Sequence, residues 1–216
     1  AEAQLAALER LRFGVTTGSS IVGSTPARTD SPIFGIRNAE AYAKVGTKIV
    51  LGVGPPDLFI LHIKEWKGSF YENGEWVRKD FTYEDALRNS IEIIEKWHLG
   101  AEGRVRIALA PPYIFGRHTW TRYTHKYEPE HVPVMKEKAL EFRELADKYN
   151  VQIHSHIFGD TIDWAVENIG RETVDKVLGP DVVIAHGNGL KQSEVEVIAT
   201  NKASVASAPS TGENLW

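Results

Sequence analysis

Cysteine is missing from all 216 residues of this chain. That single absence excludes a disulfide framework, a thiolate zinc site and a cysteine nucleophile, and it leaves nitrogen and oxygen as donors for any bound metal. Long apolar runs are missing as well. No stretch approaches the roughly 20 residues that cross a bilayer, and the first residues show no basic segment ahead of an apolar signal core. The expectation is a cytoplasmic protein with no membrane partner. Positive charge is not in excess: 25 Lys and Arg stand against 29 Asp and Glu, for a net charge of −4. Without a basic stripe there is no electrostatic footprint for nucleic acid, and a small-molecule partner is expected. Repeats, low-complexity tracts and obvious linkers are also lacking. With 42% hydrophobic and 25% charged residues, the chain has the composition of an ordinary globular protein and is long enough for one sizeable core.

Histidine is present, and in a telling arrangement. The segment Val151-Gln152-Ile153-His154-Ser155-His156-Ile157-Phe158-Gly159-Asp160 is followed one β-α unit later by Val182-Val183-Ile184-Ala185-His186-Gly187. Side chains alternate along a strand, so His154 and His156 share a face, and a histidine closing the next strand can converge with them above the strand ends. Neutral imidazole is the commonest side-chain ligand for zinc and similar metals. Taken singly, each of these histidines also reads as a hydrogen-bonded structural residue. Their recurrence at corresponding strand ends is what makes a metal site a reading of comparable weight.

Helical and strand patterns alternate along the chain. A helix is expected over Ala3 to Leu11, with Leu5, Leu8 and Leu11 on one stripe, and a strand begins at Gly14-Val15-Thr16-Thr17. A helix over 31–45 precedes the buried-type strand Lys48–Val53. Thr82 and Asp85 resemble a helix N-cap opening a run to Leu99, with Leu87, Ile91, Ile94 and Trp97 or Leu99 inward. The strand Arg104–Ala110 follows. Then come a helix over Val132–Tyr149, the His154/His156 strand, a helix from Thr161 to Leu178, the His186 strand, a helix over Gln192–Asn201 and a short strand over Ala203–Ser207. Apolar strands separated by helices imply a parallel sheet covered on both faces. The count of six strands and six helices suits a partial TIM (β/α)8 barrel holding about strands 2 to 7, with the first and last strands missing.

The whole of 1–216 is expected to be a single incomplete barrel domain carrying two insertions. Near 57–81, aromatic residues flank Asn73-Gly74, a hairpin signal. Near 113–130 lies an aromatic-rich loop with Tyr113, Phe115, His118, Trp120, Tyr123, His125 and Tyr127. Both follow strands, where a barrel builds its lids and substrate loops. The competing reading is an interface in a homo-oligomer, or packing against the barrel rim.

The runs Ile184-Ala185-His186-Gly187-Asn188-Gly189-Leu190, Ser193-Glu194-Val195 and Ala203-Ser204-Val205-Ala206-Ser207-Ala208-Pro209-Ser210 resemble the sixth- to seventh-strand region of the amidohydrolase superfamily. Ser155-His156-Ile157 is similar to the fifth-strand metal histidine of the branch containing guanine deaminase, cytosine deaminase-like proteins and triazine chlorohydrolases. Gly14-Val15-Thr16-Thr17 resembles that branch's second strand. The resemblance implies a hydrolase that cleaves a C–N bond of a cyclic amide, amidine or similar small molecule through a metal-activated water. It also implies a divalent metal, zinc first, with iron or manganese as alternatives. On this mapping His156 is a metal ligand, and His186 binds a second metal or hydrogen-bonds substrate or water. His154 becomes a second-shell partner or a packed barrel residue.

Three departures accompany the resemblance. The first-strand His-X-His pair and the eighth-strand aspartate have no counterparts in these residues, so the chain is expected to be an internal barrel fragment that is inactive in isolation. The third lies at Gly159, where the branch commonly carries a proton-transferring glutamate. Asp160 is one place later, either as its substitute or as the N-cap of the next helix. The alternative to an enzyme is a non-catalytic barrel fragment serving binding or assembly.

Overall fold

The computed structural model describes residues 2–22, 29–55, 66–116 and 129–207, the stretch 66–72 by its backbone alone. They belong to two compact units, residues 1–111 and 112–216. In the first, α1 (Glu2–Arg12) leads to β1 (Thr17–Ile21), α2 (Ile33–Val45) and β2 (Lys48–Val53). A hairpin of β3 (Trp66–Glu72) and β4 (Glu75–Phe81) follows, then α3 (Tyr83–Trp97) and β5 (Val105–Leu109). Strand β2 pairs in parallel with β1 and with β5, Thr17 facing Lys48 and Ile49 facing Val105. Its side chains Ile49, Leu51 and Val53, with Ile107 and Leu109 of β5, are almost wholly buried.

Local chemistry sets the boundaries of these elements. Asn73 and Gly74 both take positive φ, 50° and 90°, and so close the antiparallel hairpin on two residues. Thr82 caps α3: its hydroxyl accepts from the Asp85 N–H, and the Asp85 carboxylate accepts from the Thr82 N–H. Three sequence expectations change here. The stripe Leu5, Leu8 and Leu11 is exposed, and Ala7 is the buried residue of α1. In α3 Ile94 is buried as expected, but the other buried positions are Tyr83, Ala86, Ser90 and Ile93, so the inward face is rotated from the one expected. Leu87 and Ile91 are half-buried on its flank and Leu99 is exposed beyond the helix.

The second unit opens with a short turn of 3-10 helix (Pro129–His131), then α4 (Val132–Tyr149), β6 (Gln152–Ile157), α5 (Thr161–Asn168), α6 (Arg171–Val177), β7 (Val182–His186), α7 (Gln192–Thr200) and β8 (Ser204–Ala206). Strand β7 runs parallel to β6 and β8, with Ile157 facing His186 and Val183 facing Ser204. Phe142, Ile153, Ile157, Ile162, Val174, Val182 and Ile184 form its buried core. The single helix expected from Thr161 to Leu178 is two. Gly170, at φ 93°, lies outside helical geometry, which a residue without a Cβ adopts freely, and α6 restarts after it.

Six strands therefore run parallel to their neighbours, three in each unit, in α/β alternation, as in a partial TIM barrel. Among the described residues no helix is long and apolar enough to cross a membrane. The hairpin expectation is met over 66–81. Its remaining residues, and His118, Trp120, Tyr123, His125 and Tyr127 of the aromatic loop, lie outside the described residues.

Candidate active site

The second unit brings two of the three histidines together. His156 is the penultimate residue of β6, opposite Ala185, and His186 ends β7 one register step beyond, opposite Ile157. Their rings stack with centroids 4.9 Å apart and planes inclined by 26°. The Phe158 ring also stacks on His186, at 5.2 Å and 15°. Tyr113 stands 6.0 Å from His156 at a 53° tilt. His186 and Gly187 take positive φ, 74° and 66°. The chain turns sharply there, and the Gly187 N–H donates back to the Ile157 carbonyl at 3.2 Å.

His154 lies deeper in β6, 7% exposed. Burial pushes its imidazole below the usual histidine range, because a charged ring there would lose its hydration. Between the two histidines, Ser155 does structural work that the sequence did not announce. Its buried hydroxyl accepts from the Ile114 N–H at 2.9 Å and donates to the Pro112 carbonyl at 3.3 Å. The His156 N–H donates to that same carbonyl at 2.9 Å, so the segment bearing Tyr113 is tied to β6.

Asp160 occupies the position before α5 at φ 70°, but its side chain makes no capping bond. In this left-handed conformation the carboxylate turns instead to Lys191 Nζ, 2.5 Å away. Lys191 also approaches Asp163 at 3.5 Å, and its ammonium is raised above the ordinary lysine value, chiefly by the hydrogen bond to Asp160. The cap comes from Glu194 on α7, a residue sequence reasoning quoted only as part of a motif. Its carboxylate is fully buried and accepts from Asp160 N at 3.0 Å and Ile162 N at 2.8 Å at the start of α5, and from Lys191 N at 3.0 Å in the capping box of its own helix. Capping from another helix leaves no local spacing signal.

Gly159 has a spatial explanation. Its N–H donates to the Asn188 carbonyl at 2.9 Å, and a Cβ built on it would stand 1.9 Å from the Gly189 oxygen. The turn after β6 and the turn after β7 touch backbone to backbone, so residue 159 has no room for a glutamate.

Among the described residues, no group of three or more His, Asp or Glu is gathered closely enough to hold a metal ion. His156 and His186 bring two imidazoles, the nitrogen donors open to a metal in a chain with no thiolate, to neighbouring strand ends.

No family model matches the chain. It is 33% identical over 138 residues to a 5'-deoxyadenosine deaminase of Methanothermobacter thermautotrophicus, a match covering 60% of the chain and 28% of that protein. A 5'-deoxyadenosine deaminase of Methanopyrus kandleri matches at 28% over 218 residues, 96% of the chain and 39% of the relative. In fold, the chain is similar to atrazine chlorohydrolase from Arthrobacter aurescens, crystallised as a mutant with zinc and atraton. That match has a TM-score of 0.62 and 19% identity, covering 96% of this chain and 41% of that one. An adenosine deaminase from Xanthomonas campestris with bound zinc gives a TM-score of 0.62 and 16% identity, over 96% and 38% of the two chains.

These relatives and the shared fold support the resemblance to the amidohydrolase superfamily. The chain spans 28% to 39% of the length of the curated relatives it matches.

Proposed function

We propose that the chain forms about strands 2 to 7 of a (β/α)8 barrel in a metal-dependent hydrolase that cleaves a C–N bond of a cyclic amide or amidine. The observation carrying this reading is the stacked His156–His186 pair on adjacent strand ends, in a chain whose relatives are named deaminases. A divalent metal, zinc by the precedent of two structural neighbours, would supply Lewis acidity to activate water and polarise the carbon under attack.

His156 and His186 are the residues that would hold it. Phe158 stacks on the His186 ring. Tyr113, beside His156, offers an aromatic wall for a planar ring substrate. Asp160 offers the carboxylate for proton transfer that residue 159 cannot carry. His154 lies deeper on the same strand as a buried ring.

The test uses the full-length protein, comparing bound zinc and hydrolysis of 5'-deoxyadenosine between the unaltered chain and His156→Ala. Loss of both in the variant is expected. Absence of metal together with undiminished turnover in His156→Ala would sink the reading. The crowding at Gly159 favours one other reading, a relative that keeps the barrel for binding or assembly. That reading expects ligand binding without turnover in the same assay.

A further inference from the structure

Glu194 is a carboxylate with 0% exposure, a burial that is costly for a charge unless every oxygen is met. Here backbone amides meet both. Oε1 accepts from Ile162 N at 2.8 Å and more weakly from Asp163 N at 3.4 Å, while Oε2 accepts from Asp160 N and Lys191 N, each at 3.0 Å. The start of α5 adds the favourable field of a helix N-terminus to these bonds.

The arrangement at Oε2 has a specific result. Two residues 31 positions apart place their N–H groups on the same atom, and their side chains then meet as an ion pair of 2.5 Å. Neither turn alone fixes that pair. Ser193 adds a second tie, its hydroxyl donating to the Asp163 carboxylate at 2.9 Å. Beside them Gly159 and Gly189 lie in backbone contact, which a side chain at 159 would prevent.

We infer that Glu194 is a positioning residue: by holding the Asp160 and Lys191 amides on one oxygen, it assembles the Asp160–Lys191 pair as the proton-transfer unit of the site. The inference rests on the hydrolase reading above. Asp160 carries the protons one at a time, and Lys191 steadies its carboxylate between transfers. For a ring amidine, water gives its oxygen to the carbon, one proton to the ring nitrogen and one to the departing amine. The C–N bond breaks, ammonia leaves, and the ring keeps a carbonyl beside a protonated nitrogen.

The experiment pairs two variants in the full-length protein. Glu194→Gln keeps the volume but replaces one acceptor oxygen with a donor, and Lys191→Met removes an exposed ammonium without touching the buried clamp. The expected result for Glu194→Gln is amide hydrogen exchange at Asp160 and Lys191 faster by at least ten-fold. With it, kcat for 5'-deoxyadenosine falls at least ten-fold, KM changes less than about three-fold and the pH–rate profile shifts. Lys191→Met is expected to shift the same limb of that profile with exchange at Asp160 unchanged. Unchanged exchange in Glu194→Gln overturns the clamp. Faster exchange with unaltered kcat and pH profile in both variants overturns the positioning role while leaving the hydrolase reading intact. Should Glu194→Gln fail to fold, the pH profile of Lys191→Met decides alone. No turnover by the unaltered protein overturns the hydrolase reading and the positioning role with it, whatever the exchange shows.

Discussion

A Cβ on Gly159 would stand 1.9 Å from the carbonyl oxygen of Gly189. The conflict is with backbone, so no rotamer relieves it; one of the two turns has to move. Introducing the glutamate common in the deaminase branch, Gly159→Glu, is therefore expected to destabilise the fold without raising deaminase activity. Overpacking of this kind costs about 1 to 3 kcal/mol. Most of that loss is already expected from Gly159→Ala. Thermal unfolding of both variants, alongside turnover of 5'-deoxyadenosine, checks this: an unshifted melting temperature in Gly159→Ala contradicts it.

His156 and His154 separate metal binding from packing. His156→Ala is expected to remove most bound zinc with little change in unfolding free energy, since its ring is only half-buried. His154→Ala leaves a cavity in a buried position and is expected to cost about 1 to 3 kcal/mol. Its effect on zinc affinity stays within about ten- to 100-fold, the range of groups that support ligands indirectly. Metal titration and denaturant unfolding on both proteins give the comparison. Equal zinc loss in the two would contradict the assignment.

Arg143 on α4 offers a test of the scaffold under the site. Its guanidinium grips the Asp181 carboxylate by two bonds, 3.0 and 2.7 Å, and also reaches Asp147 at 2.6 Å. The Asp181 carbonyl in turn receives the Ile153 N–H at 3.1 Å, at the start of the strand bearing the histidines. Asp181→Ala leaves a mostly buried cation short of a partner and is expected to cost about 3 kcal/mol. Arg143→Met, which removes the buried charge itself, is expected to cost less. Urea midpoints rank the two variants, and the reverse order would contradict this account.

Asp85 gives a pH dependence whose sign is fixed. The Thr82 backbone N–H holds its carboxyl below the ordinary aspartate range; burial opposes this, while the Thr82 hydroxyl and Arg88 add to it. A carboxyl lowered in the folded state stabilises above its unfolded value, about 3.9, and that stability is lost as pH falls through the lower folded value. Asp85→Asn is expected to cost about 0.5 to 1 kcal/mol at pH 7, with the gap narrowing below about pH 4. Unfolding curves at pH 7 and pH 3 show whether it does.

The histidine strands and the helix over Val132–Tyr149 were legible because their patterns are local, and in the structure a proline stands near the start of that helix and a left-handed Asn150 ends it. His156 and His186 could be paired from sequence because parallel register places consecutive strand ends side by side. Glu194 could not be given its role that way. It caps a helix through Ile162, 32 residues earlier, by a contact made only in three dimensions, and Asp160, the local candidate, turns to Lys191 instead. The break at Gly170 was readable in principle, since glycine inside a helical pattern is a known stop, but the apolar period continued across it. The rotated inward face of α3 reflects tertiary packing, which chose Ile93 where periodicity chose Leu87 and Ile91.

The leucines of α1 carry a calorimetric consequence. Leu5, Leu8 and Leu11 are 61%, 50% and 38% exposed, and Phe13 beyond them is 81% exposed, so these side chains are already hydrated in the native state. Unfolding gives them little new water, and apolar hydration is what raises the heat capacity. These four side chains should accordingly add less to the heat-capacity increment of unfolding than buried leucines and phenylalanines do.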